Sequence, residues 1–142
     1  MKPRIVAAAL LSVFAFVMSD CVGLSAAERH YNVGLRLAAE ESWTEAIAEY
    51  DGAIRLDSKL VRAYSSRGNA CLNLGQPKLA IQGENAAIGP GPEHAQAYYY
   101  RALAYIALHR DQVAERDVAK AIGLGVDPAE LNTAIEELNK RR

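Results

Sequence analysis

The chain has 142 residues, a formal net charge of −1 and 23% charged residues, with acidic and basic side chains interleaved throughout. That length suits one domain, at about 100–200 residues per domain. No basic patch of the kind that holds a phosphate backbone is present, so nucleic acid is not expected as a partner. Alanine is abundant and β-branched runs are missing between residues 28 and 142, which is the composition of an all-helical protein.

The first segment, 1–27, differs from the rest of the chain. Lys2 and Arg4 give a positive start, and Ile5 to Met18 form an uncharged apolar run. Such a run is short of the roughly 20 residues a spanning helix needs. Ser25 and Ala27 then stand at the −3 and −1 positions of a cleavage site, and the whole has the pattern of a secretory signal. It predicts a leader over 1–27, cleaved after Ala27 or the neighbouring Ala26. The mature chain, 28–142, would be exported, to the periplasm or medium of a bacterial source. Cys21 offers an alternative, a lipid-anchored envelope assembly factor held on a membrane through an acylated cysteine. Met18, Ser19 and Asp20 differ from the Leu-Ala-Gly typical before such a cysteine, which favours the cleaved, soluble form. An uncleaved leader serving as an anchor is a third option. Under the cleaved reading only Cys71 remains, so no intramolecular disulfide can form. Cys71 falls on the apolar face of its helix with Leu74 and reads as a small core hydrophobe.

From residue 28 on, the chain repeats. Ala53-Ile54, Ala87-Ile88 and Ala121-Ile122 recur with a period of 34, as do Ala46, Ala80 and Ala114. The same step joins His30, Tyr64 and Tyr98 in an aromatic rank and Gly34, Gly68 and Ala102 in a small-residue rank. Several ranks holding one register over three copies mark a repeat array. Each unit reads as two helices. In the first, Tyr31, Gly34, Leu35 and Ala38 sit at helical spacing, Ser42 and Glu45 form a capping box, and Ala46, Ile47, Tyr50, Ala53 and Ile54 make the second stripe. The second unit turns at Gly75, a residue suited to the left-handed conformation that ends helices. The third turns near His109-Arg110 and restarts from Asp111 as N-cap. Small residues in the ranks let paired helices approach closely. Asp127-Pro128-Ala129-Glu130 then opens a last helix whose Leu131, Ala134, Ile135 and Leu138 form one apolar stripe, as a capping helix requires. Lys140, Arg141 and Arg142 end it with charges that complement the helix dipole.

With these ranks the chain resembles the tetratricopeptide repeat family, most closely in "AYSSRGNACLNLGQPKLAI", residues 63–81. The family pattern sets an aromatic, Leu-Gly and an aromatic in the first helix, and Ala, an aromatic, Ala and Pro in the second. The match covers residues 27–128 and implies an all-α, right-handed solenoid. Its helix-turn-helix units would span about 27–60, 61–94 and 95–128, with a capping helix over 128–140. The second unit departs from the pattern: Glu84 stands where the aromatic belongs, after Gly83, and "GPGP" comes next at Gly89–Pro92. This helix is expected to be the weakest, with Arg67 or Arg101 offsetting Glu84 by pairing with it or covering it.

Catalytic chemistry finds no support in the motifs. His30, His94 and His109 occur one per unit, no His-x-x-x-His, Cys-x-x-Cys or Glu-x-x-His spacing is present, and neither metal nor cofactor is expected. Glu40-Glu41 and Glu136-Glu137 are adjacent on helices and do not face one another. "GPGP" lacks the lysine and strand of a phosphate loop. A hydrolase with an unrecognised site is the least favoured reading. The resemblance implies instead a scaffold that binds a peptide of a partner protein in a concave groove lined by first helices. Residue by residue, that groove maps onto Tyr31, Asn32 and Leu35, then Arg62, Ser65, Ser66, Asn69 and Asn73, then Gln96, Tyr99, Tyr100 and Leu103. Tyr98 to Tyr100 cannot all face inward, and leftover aromatics on such a face fit a ligand. One subclass of the family clamps the acidic tail of cytosolic chaperones with lysine, asparagine and arginine. Tyr31, Leu35, Ser66, Gln96 and Tyr100 hold those positions here, so the clamp's charge is missing.

Overall fold

The computed structural model describes residues 23–141. Lys2, Arg4, the apolar run 5–18 and Cys21 lie outside the described residues, as does Arg142. Among the described residues there are seven helices: α1 Ala26–Ala39, α2 Trp43–Leu56, α3 Val61–Asn73, α4 Pro77–Ile88, α5 Ala95–Ala107, α6 Asp111–Gly123 and α7 Pro128–Lys140. No described helix is long and apolar enough to cross a membrane. Successive helices pair as α1/α2, α3/α4 and α5/α6, each second helix packs on the first helix of the next unit, and α7 packs on α5. The result is an all-α right-handed solenoid of three helical hairpins with a terminal helix.

The hairpin turns are copies of one device. Glu41, Gly75 and His109 have φ of 58°, 70° and 57°, and each stands one repeat period after the last. In each turn the following N–H reaches back to a carbonyl in the last turn: Ser42 to Leu37, Gln76 to Cys71 and Arg110 to Tyr105, at 2.8–2.9 Å. This is the Schellman arrangement that satisfies orphan carbonyls at a helix end. Only the middle unit has a glycine at the left-handed position; the others hold Glu41 and His109 there.

The same arrangement overturns two expected caps. Ser42 precedes α2, but its side chain makes no capping hydrogen bond. A capping box needs the serine N–H free for the glutamate three residues on, and here Leu37 already accepts it. Asp111 is the first helical residue of α6, with Arg110 in the cap position, so its charge acts on the helix dipole from within the first turn. Among the described residues two helices carry a side-chain cap. Asp127 accepts from the Ala129 N–H at 2.9 Å, and Ser25 accepts from the Glu28 N–H at 3.1 Å.

Close approach of paired helices is set by matched sizes. A Cβ on Gly34 would lie 2.5 Å from Tyr50 Cε1. One repeat on, a Cβ on Gly68 would overlap the Glu84 carboxylate. In the third unit Ala102 stands opposite the smaller Val118, within one core cluster with Ile106 and Ala114. The helix axes can therefore stay close although the partner shrinks from tyrosine to valine. Cys71 is buried as expected, and burial pushes its thiol above the usual cysteine range.

Neither Arg67 nor Arg101 pairs with Glu84. Arg67 donates instead to Asp51 at 2.6 Å. Arg101 forks onto Asp117 with two hydrogen bonds of 2.7 Å and reaches Asn85 at 2.7 Å. Asp51 and Asn85 stand on the second helix before each arginine, whereas Asp117 is on the second helix of Arg101's own unit. Each also stacks on its own unit's tyrosine, Arg67 at 5.7 Å from the Tyr64 centroid and Arg101 at 5.5 Å from that of Tyr98. Glu84 is 0% exposed. It receives one hydrogen bond, from Ser65 Oγ at 2.6 Å, and its Oε1 has no partner.

Candidate functional site: the face of the first helices

The face made by α1, α3 and α5 carries three separate groups. The first joins units one and two. Arg62 forms an ion pair with Glu28, one repeat before it, and lies 4.8 Å from the Tyr31 ring centroid. Tyr31 in turn packs on Tyr50 at 5.9 Å between centroids, and Ser66 Oγ donates to Tyr31 Oη at 3.5 Å. Arg62, expected as the groove's one cation, has its charge held by Glu28.

The second group is local to α3. Asn73 Nδ2 donates to the Asn69 carbonyl at 3.0 Å and to Asn69 Oδ1 at 3.1 Å. The amide of Asn69 keeps its donors for other partners, and Asn73 is exposed. Asn32, one unit earlier, is also exposed and is not drawn into either group.

The third group is a cleft of about 410 Å³ between the start of α5 and the start of α7. Gln96, Tyr99 and Tyr100 line one side, and Leu124 to Asp127 with Glu130 line the other. The two tyrosine rings meet edge to face, 5.0 Å apart, which is a favourable aromatic geometry. Burial, then Tyr99, Glu84, Glu130 and Tyr50 together push the Tyr100 phenol up to about 12. Burial and then Glu130 raise that of Tyr99. Both hydroxyls thus stay protonated over the physiological range and act as neutral donors.

Two positions mapped onto the groove do not reach its surface. Ser65 is 2% exposed and donates its hydroxyl to Glu84. Leu103 is 7% exposed and belongs to the core. Leu35 is exposed as expected. The residues that motif reasoning misses are on the far wall of the cleft, above all Glu130. A signal for it is present: stepping by 34 from Glu28 gives Arg62, Gln96 and Glu130, so the first turn of α7 continues a rank of the repeats. Among the described residues no group of three or more His, Cys, Asp or Glu side chains could hold a metal ion.

Comparison with known proteins agrees with this architecture. The family described as "TPR repeat" matches residues 34–75. The serine/threonine-protein phosphatase T of Trypanosoma brucei brucei is 29% identical over 118 residues, which is 83% of this chain but 25% of the phosphatase. The chain therefore spans only about a quarter of that relative's length. Among solved structures, the Arabidopsis OM64 TPR domain has a TM-score of 0.74 and 26% identity, covering 82% of this chain and 97% of that domain. The TPR2B domain of yeast Sti1, in a complex with pHsp70, has a TM-score of 0.71 and 24% identity, covering 82% and 98%. The TPR repeat is thus recognised at residues 34–75, and over 82% of the chain the fold is similar to that of the Arabidopsis TPR domain.

Proposed function

We propose that this protein is an exported interaction module, without catalysis, that takes a peptide segment of another protein along the face of its first helices. The observation that carries the reading is the cleft between α5 and α7, where Tyr99 and Tyr100 present aromatic surface and neutral hydroxyls beside Gln96. Tyrosines give contact area at low entropy cost, and amides such as that of Asn69 bond a peptide backbone without reading its sequence. The yeast domain of like fold is a complex with pHsp70, which supports a protein partner as a class. The clamp positions Tyr31, Leu35, Ser66, Gln96 and Tyr100 carry no cation, so an acidic chaperone tail is not the proposed ligand. Three repeats make a short groove, and affinity of micromolar order, about −8 kcal/mol, or weaker is expected. In-cell cross-linking with mass spectrometry tests the reading, comparing the wild type with a Tyr99→Ala/Asn69→Ala double variant. Partners enriched only by the wild type support it; partners retained equally by both place binding elsewhere.

Export rests on the sequence of the leader, and one structural observation favours the lipid-anchored alternative at Cys21. Ser25 caps α1 and Ala27 is 4% exposed within it. Cleavage after Ala27 would remove that cap and a buried residue, whereas processing at Cys21 leaves α1 whole. Losing such a cap costs about 1 kcal/mol.

A further inference from the structure

The cleft between α5 and α7 has a defect in its pairing that points to the chemistry of what fills it. Arg62 lies over Tyr31, across the junction of two units, with Glu28 closing the ion pair. Two repeats on, the positions of Tyr31, Arg62 and Glu28 are held by Tyr99, Glu130 and Gln96. An acid therefore approaches the tyrosine where the parallel site has a cation. Glu130, which lines the cleft with Tyr99, has none of the attraction for an aromatic ring that Arg62 has, because the ring face is negative. Glu130 is exposed, and it forms no hydrogen bond or ion pair with any described residue. The other charged group lining the cleft, Asp127, is also acidic. The positive end of α7 offsets only about half an elementary charge of the pair.

We infer that the bound segment places a lysine or arginine side chain in this cleft, its cationic head on the Glu130 carboxylate and its stem across Tyr99 and Tyr100. The inference rests on the peptide-binding reading above and adds to it the chemistry of one ligand position. A cation between Glu130 and Tyr99 restores the acid–cation–aromatic order that Glu28, Arg62 and Tyr31 form within the chain. Gln96, which lines the cleft, has a carbonyl oxygen to accept a further hydrogen bond from a guanidinium. A carboxylate in the ligand would meet Glu130 and Asp127 and be repelled. A purely apolar side chain would leave the Glu130 charge unanswered. The surroundings of the phenols agree: every charged neighbour that shifts Tyr99 is acidic, and those that shift Tyr100 are acidic or phenolic.

The test uses the full chain and four immobilised decapeptide pools. The pools share randomised uncharged residues and differ only in a fixed fifth residue, which is Arg, Lys, Ala or Glu. The wild type is expected to retain the Arg and Lys pools about fivefold more than the Glu pool. Glu130→Gln should bring that ratio near one while still holding the Ala pool, and Glu130→Lys should reverse it. Glu130 is exposed, so neither variant disturbs the core. A ratio unchanged in Glu130→Gln, or equal retention of all pools by the wild type, overturns the cationic assignment. In either case, loss of the Ala pool by Tyr99→Ala/Asn69→Ala still shows peptide binding on this face. No pool retained above a denatured control overturns both readings.

Discussion

Replacing Glu84 by Gln should change how stability depends on pH, by an amount the structure fixes. The carboxyl is fully buried, and burial pushes it from 4.5 up to about 9, against opposing contributions from the Ser65 hydrogen bond and the Arg101 and Arg67 charges. In the folded chain it is therefore protonated at neutral pH; in the unfolded chain it is ionised above 4.5. Between these limits the native state holds one more proton than the unfolded state, so rising pH removes stability. The slope is about 1.4 kcal/mol per pH unit, or about 3 kcal/mol between pH 5 and 7. Gln has no proton to exchange. Its stability relative to wild type should rise by that slope from pH 5 towards 8 and level off above about 9. Burial lowers the pKa of His94, but His94 is present in both proteins and cancels in the difference. Whatever the amide costs against Gly68 is independent of pH and shifts the difference curve without tilting it. Urea unfolding followed by circular dichroism at pH 5, 6, 7 and 8 measures this directly. Parallel stability curves for the two proteins would refute the reasoning.

Gly68→Ala should destabilise the chain by about 1–3 kcal/mol, because its methyl would overlap Glu84, which Ser65 holds in place. Adding Glu84→Val, which copies the Ala102–Val118 pair, should recover most of the loss in the same urea assay. Gly83→Ala should instead stabilise by about 0.5–1 kcal/mol. Its new methyl would stand 3.4 Å from the Tyr64 carbonyl oxygen, an ordinary contact, and thermal unfolding reads the gain. α4, with Gly83 and the buried Glu84, should exchange its amide hydrogens fastest of the second helices; equal protection of α2, α4 and α6 contradicts this. Intact mass of the protein from its native cell separates the two processed forms: a start at Glu28 or Ala27 establishes the cleaved leader, and acylation at Cys21 establishes the anchored form.

Much of the architecture is legible in the sequence because its causes are periodic. The ranks of Ala46, Ala80 and Ala114, of Gly34, Gly68 and Ala102, and the apolar stripe of α7 each encode a packing demand that recurs. Asp127 is readable as a cap because a carboxylate before a proline has one local use. Ser42 and Asp111 mislead because a tight Schellman turn shares the same residues, and a sequence window shows both motifs without showing which N–H is already bound. Family position places Ser65 and Leu103 on the groove, yet a serine one repeat from Tyr31 can turn inward when a buried carboxylate lies opposite. The partners of Arg67 and Arg101 depend on distances across two units. Glu130 reads as a helix-dipole acid, and its second role emerges only when α7 is counted as a continuation of the repeats.

Site-specific photo-cross-linking tests the central claim most directly. A benzoylphenylalanine is placed at Asn69, at Gln96 or, as an outer-surface control, at Arg116, which is exposed on α6. Irradiation in the native cell should give a discrete adduct with the same partner from Asn69 and Gln96 and none from Arg116, and Tyr99→Ala should abolish it. An adduct from Arg116 alone, with none from Asn69 or Gln96, would contradict peptide binding on the face of the first helices.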